Sequence, residues 1–179
     1  MIAFEAFRSV NLARNFKTQL AGQIGESLVV AELGRRGIVA TAFAGNVPDI
    51  DILAYANDRT AHLQVKAWRT GSVHFNATRF IHIDFEGDRQ VVRGLDDTLD
   101  GDLIYVFVKI GESTGQDKYF ILLQRDLQAI IRANYDAWLE RHNGVRPRNP
   151  QTTHCAVQMA SLAKFENNWG LIEQRIGLS

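Results

Sequence analysis

The chain of 179 residues is long enough for one domain with its own core, and 46% apolar and 22% charged residues are typical of a globular protein. Twenty basic and 20 acidic side chains leave no net charge, which argues against a protein that coats nucleic acid through bulk positive charge. One cysteine excludes an intrachain disulfide and suits a reducing cytoplasm, and no apolar run reaches the roughly 20 residues of a membrane helix. We therefore expect residues 1–179 to form a single cytoplasmic domain without a signal peptide.

The first half of the chain predicts a helical segment followed by strands. Residues 3–36 favour a helix in two pieces, broken near Ala21-Gly22 and ended by Gly37. The elements expected next are strands at 38–42, 49–55 and 61–68, with turns at 45–48 and 57–58. Because a two-residue turn separates the last two strands, we expect them to pair as a hairpin.

The second half predicts further strands and two helices. Residues 103–108 are almost continuously apolar, which is typical of a strand buried on both faces. The elements expected here are strands at 80–84, 103–110 and 118–123, a loop at 111–116, an amphipathic helix at 126–141, a basic proline-containing loop at 143–153 and a short helix at 162–172. The order predicts an α/β fold with helices packed on a central mixed β-sheet.

Alternation along the predicted hairpin collects polar side chains on one face. Successive side chains of a strand point to opposite faces, so Asp49 and Asp51 share a face, as do Gln64 and Lys66 on the partner strand. The apolar residues between them are expected to face the core. Two acids, an amide and an amine do not resemble a packing surface, so this face is a candidate site.

A carboxylate also falls inside an apolar arc of the predicted helix. Helical spacing places Glu26 among Val29, Val30 and Leu33. A carboxylate in such a position needs a partner, because burying it unpaired is costly. An arginine or lysine in the core satisfies that need, and so does a metal ion; the sequence leaves both open.

Three segments together resemble the PD-(D/E)xK nuclease superfamily, which includes restriction endonucleases and Holliday junction resolvases. They read Gly-Gln-Ile-Gly-Glu at 22–26, Asn-Val-Pro-Asp-Ile-Asp-Ile-Leu at 46–53 and Leu-Gln-Val-Lys at 63–66. The family pattern is a helix glutamate, an aspartate that opens a hairpin strand, and an acid-x-Lys about a dozen residues later. Here Gln64 follows Asp51 by 13 residues and Lys66 comes two later. Gln64 stands where the acid is usual, and Gln-x-Lys occurs as a variant.

The resemblance implies a restriction-endonuclease-like fold and a metal-dependent enzyme that hydrolyses nucleic-acid phosphodiesters, DNA rather than RNA. It implies Mg²⁺ or Mn²⁺ as cofactor and catalysis by Glu26, Asp51, Gln64 and Lys66. The implied metal ligands are Asp51, Gln64, Glu26 and the Val65 carbonyl, with Asp49 as an alternative or assisting ligand. Lys66 is implied to position or deprotonate the attacking water. Homodimers are frequent in the superfamily, although nothing in this sequence fixes the oligomeric state.

Two other interpretations stay open at the level of sequence. Gln64 removes one negative charge, which favours a catalytically weak or inactive nuclease-fold module that binds nucleic acid or a protein partner. An α/β interaction domain with an incidental polar hairpin is a third interpretation. Gln23, Trp68 and Arg69 are candidate nucleic-acid contacts, with a solvated position as the alternative for Gln23 and a core position for Trp68. The other candidate phosphate contacts are Arg79, Arg141, Arg146 and Arg148, the last three being expected in a solvated basic loop. The acidic cluster at 96–102 is expected to be a solvated turn, against a second cation site, and the histidines are expected in structural or surface positions.

Overall fold

The computed structural model describes residues 14–43 and 49–178. Helices and strands alternate along this part of the chain as in an α/β fold. The helices are α1 (Arg14–Arg35), α2 (Gln124–Arg141), α3 (Met159–Leu162) and α4 (Gly170–Arg175). The strands are β1 (Val39–Ala42), β2 (Ile52–Ala56), β3 (Arg59–Trp68), β4 (Val73–Asn76), β5 (Ile81–Glu86), β6 (Arg89–Leu95), β7 (Ile104–Lys109), β8 (Lys118–Leu123) and β9 (His154–Val157). None of the helices in these two ranges is long and apolar enough to cross a membrane.

Five strands form the central sheet in the order β1-β2-β3-β7-β8. Strands β3 and β7 are parallel, while the other three neighbouring pairs are antiparallel, so the sheet is mixed. Two antiparallel ribbons, β4 with β9 and β5 with β6, lie outside it. The expected α/β fold, with a central mixed sheet flanked by helices, is confirmed.

An apolar core lies on each face of the central sheet. Alternation along β7 sends Tyr105 and Phe107 to the core shared with α2, and Val106 and Val108 to the core shared with α1 and α4. All four side chains are buried, which confirms the expected strand with two covered faces. Strand β3, next to β7, is covered in the same way over most of its length.

Helix α1 packs on β3 through a glycine. A Cβ atom built on Gly25 would lie 2.3 Å from the Cβ of Ala67, much closer than two carbon atoms can approach. Only glycine therefore permits this distance between the helix and the strand. The buried positions of α1 (Ala21, Gly25, Val29 and Leu33) recur every fourth residue and form the face that meets the sheet.

The structure changes several predicted boundaries. Helix α1 runs unbroken through Ala21 and Gly22, so the predicted break is wrong; packing of the buried face outweighs the poor helix propensity of Gly22. The predicted end is confirmed, because Gly37 has a positive φ and donates its N–H to Gly34. Residues 3–13 of the predicted helix and the predicted turn at 45–48 lie outside the described residues.

Other elements differ near the C-terminus and in the ribbons. The sequence analysis does not predict β4, β6 or β9. The single helix predicted at 162–172 is wrong, since α3, a 3₁₀ turn (Ala163–Phe165) and α4 occupy this region. Asn57 and Asp58 both have positive φ and form the expected tight turn between β2 and β3.

Candidate active site

Asp51 lies where β2 and β3 separate. Its backbone N–H donates to the Leu63 carbonyl at 2.9 Å, and its carbonyl accepts from Phe43 at 2.9 Å. Its side-chain Oδ2 accepts the backbone N–H of Val65 at 2.7 Å. The carboxylate thus caps the N–H that β3 exposes as β2 turns away, and the backbone of the sheet fixes its position.

Gln64 lies beside this carboxylate on β3. Its side chain is 7% exposed, and its Nε2 donates to Oδ2 of Asp51. With the amide in this orientation, its oxygen makes no hydrogen bond within residues 14–43 and 49–178 and is left for another partner. The predicted neighbours Asp51 and Gln64 are therefore in direct contact.

Lys66 follows two residues along β3 and is half-buried. Burial lowers the pKa of its ammonium group, although the carboxylate of Asp51 acts in the opposite direction. Arg79 also lowers this pKa, while Asp49 and Glu26 raise it. A desolvated lysine amid charged groups is the arrangement by which proteins prepare an amine to exchange protons nearer to neutral pH.

Glu26 lies on α1, within range for its charge to interact with Asp51 and Lys66. Burial raises the pKa of its carboxyl group, the charge of Asp51 raises it further, and Lys66 lowers it. These effects require the three charges to lie near one another. No arginine or lysine among the described residues forms an ion pair with Glu26, which disfavours the alternative of a simple ion pair in the core.

Asp49 occupies a different environment from Asp51. It has a φ of 62°, and β2 begins only at Ile52, so alternation does not place the two aspartates on one strand face as predicted. Its carboxylate is exposed and pairs with Arg79 at 3.0 Å. Asp49 and Arg79 border a cleft of about 240 Å³ that Tyr105 also lines. Burial, together with the charge of Asp49, raises the pKa of Tyr105 to about 12.

Of the candidate nucleic-acid contacts, Trp68 lies in the core, which is the alternative that the sequence leaves open for it. Its ring is 6% exposed and packs against Phe107 and Phe120 in the core. The alternation of the hairpin predicts an open polar face, but the core shared with α2 covers the face of the sheet on which Trp68 lies. Gln23 and Arg69 are exposed, and Gln23 borders an open groove with Glu26.

Sequence reasoning missed Tyr105 as a neighbour of the site. It pairs with Gln64 across the parallel β3–β7 ladder, and the charges of Asp49, Arg79 and Asp51 affect the pKa of its hydroxyl. The only signal in the sequence is the polar hydroxyl of this tyrosine in a strand whose neighbouring side chains are apolar. The register that aligns it with Gln64 depends on residues distant in sequence.

The donor atoms that meet at this fork fit a hard divalent cation. Such ions prefer oxygen ligands, and the site offers the carboxylates of Asp51 and Glu26 and the free amide oxygen of Gln64. Within the described ranges, three ligand atoms from histidine, cysteine, aspartate or glutamate converge at His82, Asp96 and Asp97 instead. That group is half-exposed or exposed, and Asp96 there accepts hydrogen bonds from Thr98, as expected of an acidic turn in solvent.

Comparison with protein-family models finds no match, and neither does comparison with curated proteins. Among solved structures, the chain is similar to a bacterial homing endonuclease at 12% sequence identity. The similarity covers 88% of this chain and 94% of that chain, with a TM-score of 0.49.

Proposed function

We propose that the protein is a metal-dependent nuclease that hydrolyses phosphodiester bonds of DNA. The observation that carries this proposal is the contact between Asp51 and Gln64 where β2 and β3 separate, with Lys66 two residues further along β3. The charge of Glu26, on α1, acts on the pKa of Lys66, and the charge of Asp51 acts on the pKa of Glu26, so two carboxylates, an amide and an amine influence one partly buried region. A packing role does not explain this combination, because each group loses solvation there.

In this proposal, Asp51, Gln64 and Glu26 hold Mg²⁺ or Mn²⁺, and the Val65 carbonyl is a further candidate ligand. The Val65 N–H orients the Asp51 carboxylate and leaves Oδ1 for the cation. A bound divalent ion would polarise the scissile phosphate and offset the charge that develops on it. The raised pKa of Glu26 and the lowered pKa of Lys66 both follow from a site that is desolvated when no cation is present.

Lys66 is proposed to position the attacking water and take its proton at Nζ. Its lowered pKa makes the neutral amine, the form that can accept a proton, more available than in an exposed lysine. The water oxygen then bonds to phosphorus and the P–O3′ bond breaks; O3′ takes a proton from solvent water, which leaves a 5′-phosphate and a 3′-hydroxyl. The protonated Lys66 afterwards offsets negative charge on the phosphate.

A nuclease-fold module without activity, which binds nucleic acid or a protein partner, is the second candidate. The observation that favours it is the hydrogen bond from the Gln64 amide to Asp51, which occupies one carboxylate oxygen. Gln64 is also a neutral group at a position where an acid is usual. A less acidic site binds a divalent ion more weakly, because affinity depends on ligand charge.

The test is incubation of the protein with supercoiled plasmid, single-stranded DNA, branched DNA and duplex RNA, each with Mg²⁺, Mn²⁺ or a chelator. Asp51→Ala and Lys66→Ala are assayed beside Lys118→Ala, whose side chain is exposed on β8 and pairs with Glu166. We expect cutting of DNA that the chelator and both site variants abolish and that Lys118→Ala retains. Binding without cutting supports the second candidate, and chelator-resistant cutting contradicts the first.

A further inference from the structure

A second cavity rich in cationic and aromatic groups lies between α2 and β9. Its volume is about 330 Å³, and its lining includes Arg146, Arg141, His154, Trp138 and Asn134. No aspartate or glutamate belongs to the described residues that line it. None of the lining residues belongs to the candidate active site, so any ligand bound here would be additional to the scissile phosphate.

Arg146 is the central feature of this cavity. It is 8% exposed, so the solvated loop position expected for it is wrong. Its guanidinium carbon lies 4.3 Å from the ring centre of Trp138 and 4.7 Å from that of Tyr135. Its buried Nε has no hydrogen-bond partner, and no described carboxylate forms an ion pair with the guanidinium.

A buried cation without a counter-anion is costly, and contacts with two aromatic faces offset only part of that cost. The Tyr135 ring is itself held in place, since its hydroxyl donates to the side chain of the buried Gln90. The guanidinium is therefore fixed at the cavity before any ligand arrives. What the site lacks is negative charge.

Two further donors border the same cavity. Arg141, in the last turn of α2, is exposed and donates its Nε–H to the Ala137 carbonyl at 3.0 Å. Its Nη atoms take no part in that hydrogen bond. His154 stacks on His74 with ring centres 4.5 Å apart. Burial lowers the pKa of His154, and the charges of His74 and Arg146 lower it further. The imidazole at neutral pH is thus mainly uncharged and has one N–H to donate.

We propose that this cavity binds a phosphate group through Arg146 and Arg141, with His154 as an additional donor. Planar guanidinium groups match the paired oxygens of phosphate, and three donors from different directions suit a tetrahedral anion better than a flat carboxylate. The same chemistry serves a phosphate monoester and the backbone phosphate of a nucleic acid. The proposal does not depend on nuclease activity.

The test is titration of the whole protein with inorganic phosphate in the presence of chelator, which keeps the candidate active site free of metal. Binding is followed by thermal unfolding and by the side-chain ¹⁵N–¹H resonance of Arg146. Arg146→Met and Arg141→Gln are compared with Arg148→Met, an exposed arginine in the same loop. We expect phosphate to raise Tm and shift the Arg146 resonance, with binding about tenfold weaker in the first two variants and unchanged in the third.

A pair of short single strands, identical except for a 5′-phosphate or a 5′-hydroxyl, distinguishes the two sources of phosphate. Preference for the 5′-phosphate strand identifies a monoester, and equal binding that Arg141→Gln weakens identifies the backbone. If Arg146→Met does not fold, Arg141→Gln at the exposed rim carries the test. The proposal is overturned if phosphate changes neither Tm nor the resonance, or if Arg148→Met weakens binding as much as Arg141→Gln does.

Discussion

The carboxylate of Asp51 accepts the backbone N–H of Val65 at 2.7 Å, at the point where β2 leaves β3. Strand β3 continues beyond this point as a buried strand, and its N–H would otherwise have no acceptor there. One side chain thus completes the sheet and offers a charged oxygen to the candidate site. The stability of the sheet and the proposed chemistry both depend on the carboxylate of Asp51. Different substitutions of this residue can separate the two effects.

Asp51→Ala removes the acceptor of the Val65 N–H, and we expect it to lower the free energy of unfolding by about 1–3 kcal/mol. Asp51→Asn keeps an amide oxygen that can accept this N–H, so its loss of stability should be smaller. Urea denaturation of the two variants measures the difference. Equal loss in both would mean that the charge, and not the hydrogen bond, stabilises the sheet.

Lys66→Met should slow DNA cutting by about 100-fold or more, the usual effect of losing a general acid or base. In the wild type, the rate should rise with pH as Lys66 loses its proton, with a midpoint below the ordinary lysine value of 10.5. The pH profile of single-turnover cutting checks both statements. Lys118→Met, at the exposed first residue of β8, is the control and should keep the wild-type profile. If the cutting rate of Lys66→Met still rises with pH, a group other than Lys66 causes that rise.

Glu26→Gln should stabilise the metal-free protein at neutral pH. The folded state raises the pKa of Glu26, so its contribution to stability is fully present below the ordinary value of 4.5 and is lost as pH rises through the higher folded pKa. The Tm of the variant should therefore exceed that of the wild type at pH 7 and match it below pH 4.5. Glu112→Gln, in an exposed loop, is the control variant measured beside it. A variant less stable than the wild type at pH 7 would contradict a desolvated carboxyl group.

Gln64→Glu should tighten metal binding and lower the Mg²⁺ concentration needed for half-maximal cutting, on the order of tenfold, because affinity depends on ligand charge. Without metal, the new carboxylate lies against Asp51 and should destabilise the fold at neutral pH. Thermal unfolding with and without Mg²⁺ measures both effects, and Gln116→Glu in an exposed loop is the control. A destabilisation that Mg²⁺ does not relieve would argue against a cation between residues 51 and 64.

Gly25→Ala should push α1 away from β3, since its Cβ would lie 2.3 Å from that of Ala67. We expect a loss of about 1–3 kcal/mol in the free energy of unfolding and a further loss of cutting, because Glu26 is the next residue. Gly34→Ala is the matched control on the same helix: nothing lies within 4 Å of its Cβ, and it should stabilise the helix by about 0.5–1 kcal/mol. Wild-type stability in Gly25→Ala would mean that the two elements separate without cost.

The sequence predicts the proximity of Asp51 and Gln64 better than the surroundings of these residues. Spacing and alternation are local properties, and they place Asp51, Gln64 and Lys66 near one another on the hairpin. The burial of Trp68 was not predictable in this way, because it results from packing against Phe107 and Phe120, which lie far along the chain. Arg146 is buried for a similar reason, since the rings that cover it belong to α2. The left-handed conformation of Asp49 departs from the strand that its neighbours predict.

The rate of plasmid cutting as a function of Mn²⁺ concentration, in the wild type, Asp51→Asn and Asp49→Asn, tests the proposed site most directly. Asp51 lies at the fork beside Gln64, whereas Asp49 is exposed and paired with Arg79. We predict saturable, chelator-sensitive cutting in the wild type, a nearly unchanged curve in Asp49→Asn, and a curve in Asp51→Asn that is shifted to higher Mn²⁺ with a plateau lowered by about 100-fold or more. The same curve in Asp51→Asn as in the wild type would contradict the account.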